Sequence, residues 1–175
     1  MGLRINDVVP DFTAETDQGN ITFHDWIGDS WAILFSHPKD FTPVCTTELA
    51  TLAALLPEFA GRNCRVIGLS VDTLSDHLRW KQDVEAVGGA PMAFPLIADP
   101  DLRIAKSLDM LPADSGESAK DRTEENTATV RSVFLICPER RIRAMQVYPI
   151  TVGRNFNEIL RLLDALQLVA SHPVA

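Results

Sequence analysis

Short runs of unbroken hydrophobicity alternate along the chain with longer stretches in which apolar residues recur every three or four positions, a pattern that predicts buried strands separated by amphipathic helices. Trp31 to Phe35 is an apolar run of strand length. Beyond it, Leu49, Leu52, Ala53, Leu56 and Phe59 mark one face of a helix, in which Pro57 predicts a kink or an end before Gly61. Arg65 to Val71 is continuous enough in Val, Ile and Leu to be a strand buried on both faces, as in a parallel sheet. Ser75 is read as the cap of a second helix reaching Val87, Phe94 to Ile97 as a third core strand, and Asp101 to Leu108 as a short helix. Ahead of these, Phe12 to Glu15 and Ile21 to Phe23 flank D-Q-G-N as a hairpin.

In the last third, Pro112 to Thr127 holds Asp114, Glu117, Asp121, Glu124 and Glu125 and reads as an exposed loop. Val130 to Cys137 and Ile142 to Tyr148 flank the tight P-E-R-R connection as an antiparallel hairpin. Asn155, with Glu158 three residues on, has the spacing of a capping box and opens a helix with Phe156, Ile159, Leu160, Leu163 and Leu166 inward. A β-α-β core followed by a closing hairpin and helix predicts an α/β domain, residues 1–175, with no internal repeat and no dividing linker.

Composition narrows the function classes. The chain has 175 residues, 46% of them hydrophobic, enough for a substantial core. Its 16 basic and 24 acidic residues give a net charge of −8, which argues against nucleic acid or an anionic membrane as partner. The start, M-G-L-R-I-N-D, lacks an apolar leader, and no window approaches a transmembrane span. Three cysteines without a C-x-x-C pattern point to a reducing compartment, most simply the cytoplasm.

The chemistry centres on S-H-P-K-D-F-T-P-V-C-T-T-E, Ser36 to Glu48, between the Trp31–Phe35 strand and the first long helix. Thr42 followed by Pro43 is an N-cap with proline at the first helical position, which puts Cys45 in the first turn. Unpaired amides and the helix dipole there favour an anion, and the thiolate is the nucleophilic form of cysteine. A buried, inert core cysteine is the bland alternative, but such a residue has no need of two prolines, a hydroxyl and a helix start around it.

Pro38, Thr42 and Cys45 stand in a P-x-x-x-T-x-x-C spacing that resembles the peroxiredoxins, and S-H-P-x-D-F-T-P-V-C-T-T-E resembles their one-cysteine subfamily. The resemblance continues through D-S-W-A-I-L-F, A-T-V-R-S-V-F and Y-P-x-x-x-G-R-N-F-x-E-I-L-R-L, nearly the whole chain. It implies a thioredoxin-like fold, a central mixed β-sheet flanked by helices with an N-terminal hairpin. It also implies a thiol-dependent peroxidase that reduces hydrogen peroxide and organic hydroperoxides through a cysteine sulfenic acid. The catalytic set it implies is Cys45 as nucleophile, Thr42 as hydroxyl partner of the peroxide, Arg131 as guanidinium near thiolate and substrate, and Pro38 as a shield from water. His37 matches a histidine of the subfamily and is assigned to substrate binding, with a structural hydrogen bond as its alternative. Glu48 either orients Arg131 or is a solvated first-turn acid. The resemblance implies no metal and no cofactor, an external thiol reductant such as glutathione or thioredoxin, and a homodimer or higher homo-oligomer built through the edge strand Ile142 to Tyr148.

Cys64 and Cys137 are expected to be buried strand residues at the opposite end of the sheet from Cys45, leaving no internal resolving cysteine. A disulfide oxidoreductase is disfavoured because C-T-T-E lacks a second cysteine, and a non-catalytic scaffold is the remaining alternative. Phospholipase chemistry, associated with the subfamily, would use Ser30 in G-D-S-W with His24. Here Ala32 replaces the final glycine of that segment, Glu139 stands where an aspartate is required, and Ser30 enters a strand instead of topping an elbow, so this activity is not expected. The chain ends at S-H-P-V-A, without the further C-terminal segment usual in the subfamily.

Overall fold

The protein is described here from a computed structural model covering residues 2–115 and 128–172. Seven strands form one mixed sheet, β1 (Thr13–Thr16), β2 (Gly19–Thr22), β3 (Trp31–Ser36), β4 (Cys64–Ser70), β5 (Leu96–Ala98), β6 (Arg131–Ile136) and β7 (Ile142–Tyr148), in the order β2-β1-β5-β4-β3-β6-β7. The helices are α1 (Phe23–Ile27), α2 (Pro43–Gly61), α3 (Leu74–Gly88), α4 (Arg103–Ser107) and α5 (Phe156–Ser171). Central β3 pairs parallel with β4 and antiparallel with β6, and the N-terminal hairpin joins the sheet through an antiparallel β1–β5 pairing. This is the expected thioredoxin-like α/β arrangement.

Alternation along the strands builds two cores. Ile33, Phe35, Val66, Leu96, Val133 and Leu135 face α2, α3 and α5, and Ala32, Leu34, Ile67, Leu69, Phe134 and Ile136 face α1, α4 and the N-terminal segment. Covering both faces explains why Trp31 to Phe35 of β3 and Val133 to Ile136 of β6 read as unbroken apolar runs. Gly68 on β4 is required by packing: a Cβ there would lie 2.7 Å from both the Phe35 ring and Leu96. The space it leaves lets Phe35 sit edge-on to Phe94 and Phe156.

Several local expectations are corrected. Phe23 begins α1, not a strand, so the hairpin is shorter than its hydrophobicity suggests. The cap of α3 is Thr73, whose hydroxyl accepts from the Asp76 amide, and Ser75 lies inside the helix. β5 starts at Leu96 instead of Phe94. The short helix spans Arg103–Ser107, because Leu102 before it is left-handed and the buried Asp99 carboxylate accepts from the Ile104 and Ala105 amides. Pro57 does not end α2, which continues to Gly61. Asn155 caps α5 by accepting from the Asn157 amide, but Glu158 pairs with Arg161 and does not close the box. The acidic loop falls outside the described residues from residue 116 onward.

Candidate active site

Sheet register explains how two residues 86 apart come together. Phe35 of β3 pairs with Val133 of β6, and two residues farther along each strand lie His37 and Arg131. Arg131 therefore shares the face of Phe35 and Val133, beneath α2, beside the loop that leaves β3. α2 starts at Pro43 with Thr42 as N-cap in extended conformation, so Cys45 occupies the first turn as expected. Arg131 Nη1 donates to Cys45 Sγ at 3.2 Å, and its Nε donates to the Ile150 carbonyl at 2.7 Å. Both side chains are buried.

Glu48, one turn beyond Cys45, is buried as well and accepts from Arg131 Nη1, which settles its role as an orienting carboxylate. It also accepts from the backbone N–H and Nε of Arg154, at 2.6 and 2.9 Å. Arg154 went unassigned in the sequence although it stands in the quoted G-R-N-F segment. Its Nη1 donates to the Ser36 and Ser132 carbonyls at 2.7 and 2.8 Å, and its guanidinium lies 5.4 Å from the centroids of both Phe35 and Phe156. Burial draws its pKa down, and its hydrogen bonds to the Glu48 carboxylate oppose that. Two guanidiniums and one carboxylate leave a buried surplus of one positive charge beside Cys45 Sγ.

Thr42 gives its hydroxyl proton to the Lys39 carbonyl at 2.9 Å, so its lone pairs are what it can offer a ligand. It makes no side-chain cap bond; instead its carbonyl accepts from Thr46. Pro38 is buried, and Pro38, Thr42, Pro43, Val44, Arg131 and Ile150 line a cleft of about 460 Å³ whose walls are mostly apolar. Val44 and Cys45 carry first-turn amides with no intrahelical acceptor. The Arg131 guanidinium and the Thr42 hydroxyl thus reach one small opening, with the buried Cys45 Sγ directly behind Arg131.

A profile for the AhpC/TSA family matches residues 5–145. Over 99% of its length the chain is 47% identical to a "1-Cys peroxiredoxin" of Dictyostelium discoideum, covering 68% of that protein, and 49% identical to "Peroxiredoxin-6" of Rattus norvegicus, covering 77%. The chain belongs to the peroxiredoxins, of the one-cysteine type. A solved structure of a cysteine-to-serine mutant of peroxiredoxin 6 from Arenicola marina superposes with a TM-score of 0.91 at 42% identity, over 99% of this chain and 78% of that one. A yeast mitochondrial 1-Cys peroxiredoxin, solved in work on thiol resolution through glutathione and thioredoxin systems, gives 0.86 at 46% identity, over 97% and 78%.

In this peroxiredoxin the other two cysteines are remote from Cys45. Cys64 pairs with Trp31 at the start of β3, and Cys137 follows Ile136, the partner of Ala32. Cys45 lies past the far end of β3, about 17 Å away along the strand. Burial pushes the Cys64 thiol up to about 12, which suits an inert residue. Ser30 donates to Asn63 Oδ1 at 3.2 Å and His24 Nε2 to the Val9 carbonyl at 2.8 Å, so the two are engaged elsewhere and not with each other.

His37 is wholly buried and does not line the cleft; its ring packs 5.0 Å from Trp80. Its Nε2 donates to Asp40 Oδ1 at 2.6 Å, and Asp40 Oδ2 accepts from His77 Nδ1 at 2.5 Å. Among the described residues these three are the group close enough to share a metal ion. Their separations are those of shared protons, shorter than the roughly 3.3 Å between neighbouring ligands around tetrahedral zinc. Among the described residues no helix is long and apolar enough to cross a membrane.

Proposed function

We propose that this chain is a thiol-dependent peroxidase in which Cys45 attacks hydrogen peroxide or an organic hydroperoxide. The observation that carries the reading is the 3.2 Å contact from Arg131 Nη1 to Cys45 Sγ, inside a buried cluster with a surplus of one positive charge beside the sulfur. The sulfur forms a bond to one oxygen as the O–O bond breaks, giving a sulfenic acid and a hydroxide or alkoxide that takes a proton from water. Arg131 and the first-turn amides stabilise the charge on the departing oxygen. Thr42 accepts from the peroxide O–H, and Pro38 covers the thiolate. His37, buried behind the cleft, serves the site through its hydrogen bond to Asp40, which holds the loop carrying Pro38 and Thr42. The apolar cleft walls favour a hydroperoxide with an alkyl group.

An external thiol completes the cycle. It condenses with the sulfenic acid to a mixed disulfide and water, and a second thiol releases Cys45. Two facts support this: Cys64 and Cys137 lie at the far end of the sheet, and the yeast relative was studied with glutathione and thioredoxin. We further infer a single domain acting in a reducing compartment such as the cytoplasm, supported by three free cysteines, and self-association through the edge strand β7, where Val147 is exposed. The test is peroxide consumption with a thiol reductant. The wild type should turn over and Cys45→Ser should not, with its circular dichroism unchanged; turnover by Cys45→Ser at the wild-type rate would refute the assignment.

A further inference from the structure

The hydrogen-bond chain behind the site can be read proton by proton. His77 sits on α3 with its ring wholly buried between two acceptors: Nδ1 faces Asp40 Oδ2 at 2.5 Å and Nε2 faces the Ile97 carbonyl at 3.0 Å. Neither oxygen can donate while Asp40 is ionised, so both ring nitrogens carry protons and His77 is an imidazolium. Burial pushes the Asp40 carboxyl up, but the hydrogen bonds from His37 and His77 and the charge of His77 outweigh it and hold Asp40 below the usual carboxylate range. Burial likewise pulls His77 down, and Asp40 with the Ile97 carbonyl outweighs it, leaving a net rise. Among the described residues, Asp72 on the β4–α3 loop adds a further charge facing the group and accepts the Asp40 amide at 2.9 Å. Burial and the Asp40 charge raise its own carboxyl.

At the other end of the chain His37 has one acceptor only. Its Nε2 proton goes to Asp40, and a proton on Nδ1 would be a buried donor without a partner. Asp40 thereby selects the tautomer of His37 and keeps Nδ1 bare. The same carboxylate pins the segment from His37 to Thr42, which carries Pro38 and Thr42, against α3 and the end of β5. A long helix and the sheet are thus tied to the loop on which the proposed substrate contacts sit.

We propose that His77, acting through Asp40, is a positioning residue of the peroxidase site: its imidazolium fixes the Asp40 carboxylate, which fixes His37 with Nδ1 as an acceptor and holds the peroxidatic loop. The inference rests on the peroxidase reading above. It differs from a merely structural role in what it leaves untouched, because Arg131 contacts Cys45, and Glu48 and Arg154 hold Arg131 in place, independently of this hydrogen-bond chain.

The test joins kinetics to ring-nitrogen spectra. In His77→Leu, kcat/KM for a hydroperoxide should fall about tenfold or more, the loss typical of a charge-assisted hydrogen bond, while iodoacetamide alkylation of Cys45 keeps its rate and pH profile. His77→Asn, which can still donate to Asp40, should recover most of the peroxide rate. Long-range proton–nitrogen spectra of wild-type protein at about pH 7 should show both His77 nitrogens protonated and His37 Nδ1 bare. A folded His77→Leu variant with undiminished kcat/KM, a single proton on His77, or a proton on His37 Nδ1 would each overturn the proposal. If His77→Leu does not fold, His77→Asn and the wild-type spectra decide it. Wild-type protein that consumes no peroxide would instead overturn the peroxidase reading, and the spectra would still report on the hydrogen-bond chain.

Discussion

Replacing Arg131 by methionine removes the guanidinium next to Cys45 and keeps an unbranched apolar stem in the same space. The contact is 3.2 Å long and Arg131 is only 3% exposed, so solvent screens it little. A hydrogen bond involving a charged group contributes about 1.5–3 kcal/mol. At about 1.36 kcal/mol per pH unit, the midpoint of Cys45 alkylation should rise by roughly one to two pH units. The charge count agrees in direction: with Arg131 gone, Glu48 and Arg154 neutralise each other, and ionising Cys45 leaves an unbalanced buried anion. The peroxide rate constant should fall by about tenfold or more, since the same donor is proposed to stabilise the departing oxygen. The substitution also orphans the Ile150 carbonyl and takes one donor from Glu48, so stability should drop by about 1–3 kcal/mol, and a thermal melt must accompany the kinetics. Iodoacetamide labelling across pH, read by mass at the Cys45 peptide, gives the midpoint. Arg131→Lys retains the charge without the planar fork and should fall between the two. Superimposable labelling profiles for wild type and Arg131→Met would refute the reasoning.

Other consequences follow from the same geometry. Arg154→Met should cost more stability than Arg131→Met, about 3 kcal/mol or more, because it orphans the Ser36 and Ser132 carbonyls and removes the Arg154 guanidinium from buried Glu48; urea denaturation measures the difference. One equivalent of peroxide without reductant should leave Cys45 as sulfenic acid, and a quantitative disulfide from Cys45 to Cys64 or Cys137 in the mass spectrum would contradict the one-cysteine assignment. Light scattering should show a dimer at micromolar concentration that Val147→Lys weakens, and a wild-type monomer would count against pairing at β7. For pH, the raised His77 contributes stability that is complete below about 6.5 and lost as pH climbs through its folded value, while the depressed Asp40 contributes above about 3.9 and loses it as pH falls. The raised Asp72 tips the balance in the same direction as His77, so urea midpoints should decline on the alkaline side, less steeply in His77→Asn.

Much of this protein is legible in its sequence because the relevant physics is local. A strand buried on both faces must be largely apolar, and Trp31 to Phe35 and the Val66–Leu69 stretch of β4 satisfy that condition without reference to any other segment. Threonine then proline is enough to start α2 and put Cys45 in its first turn, and the spacing of Pro38, Thr42 and Cys45 names the chemistry. Misplaced boundaries arose where a neighbour overrides propensity: Thr73 captures the cap of α3 from Ser75, and Asp99 and the left-handed Leu102 set the start of α4. What the sequence could not reveal is every decision taken between distant segments. Whether Glu48 is a solvated acid or a buried orienting group depends on Arg131 and Arg154, 83 and 106 residues away. Arg154 finds its acceptors on the carbonyls of β3 and β6, and a backbone carbonyl leaves no trace in residue identity. His37 looks the same in sequence as donor or acceptor, and only the packing of α3 against the loop brings His77 and Asp40 together to fix its tautomer.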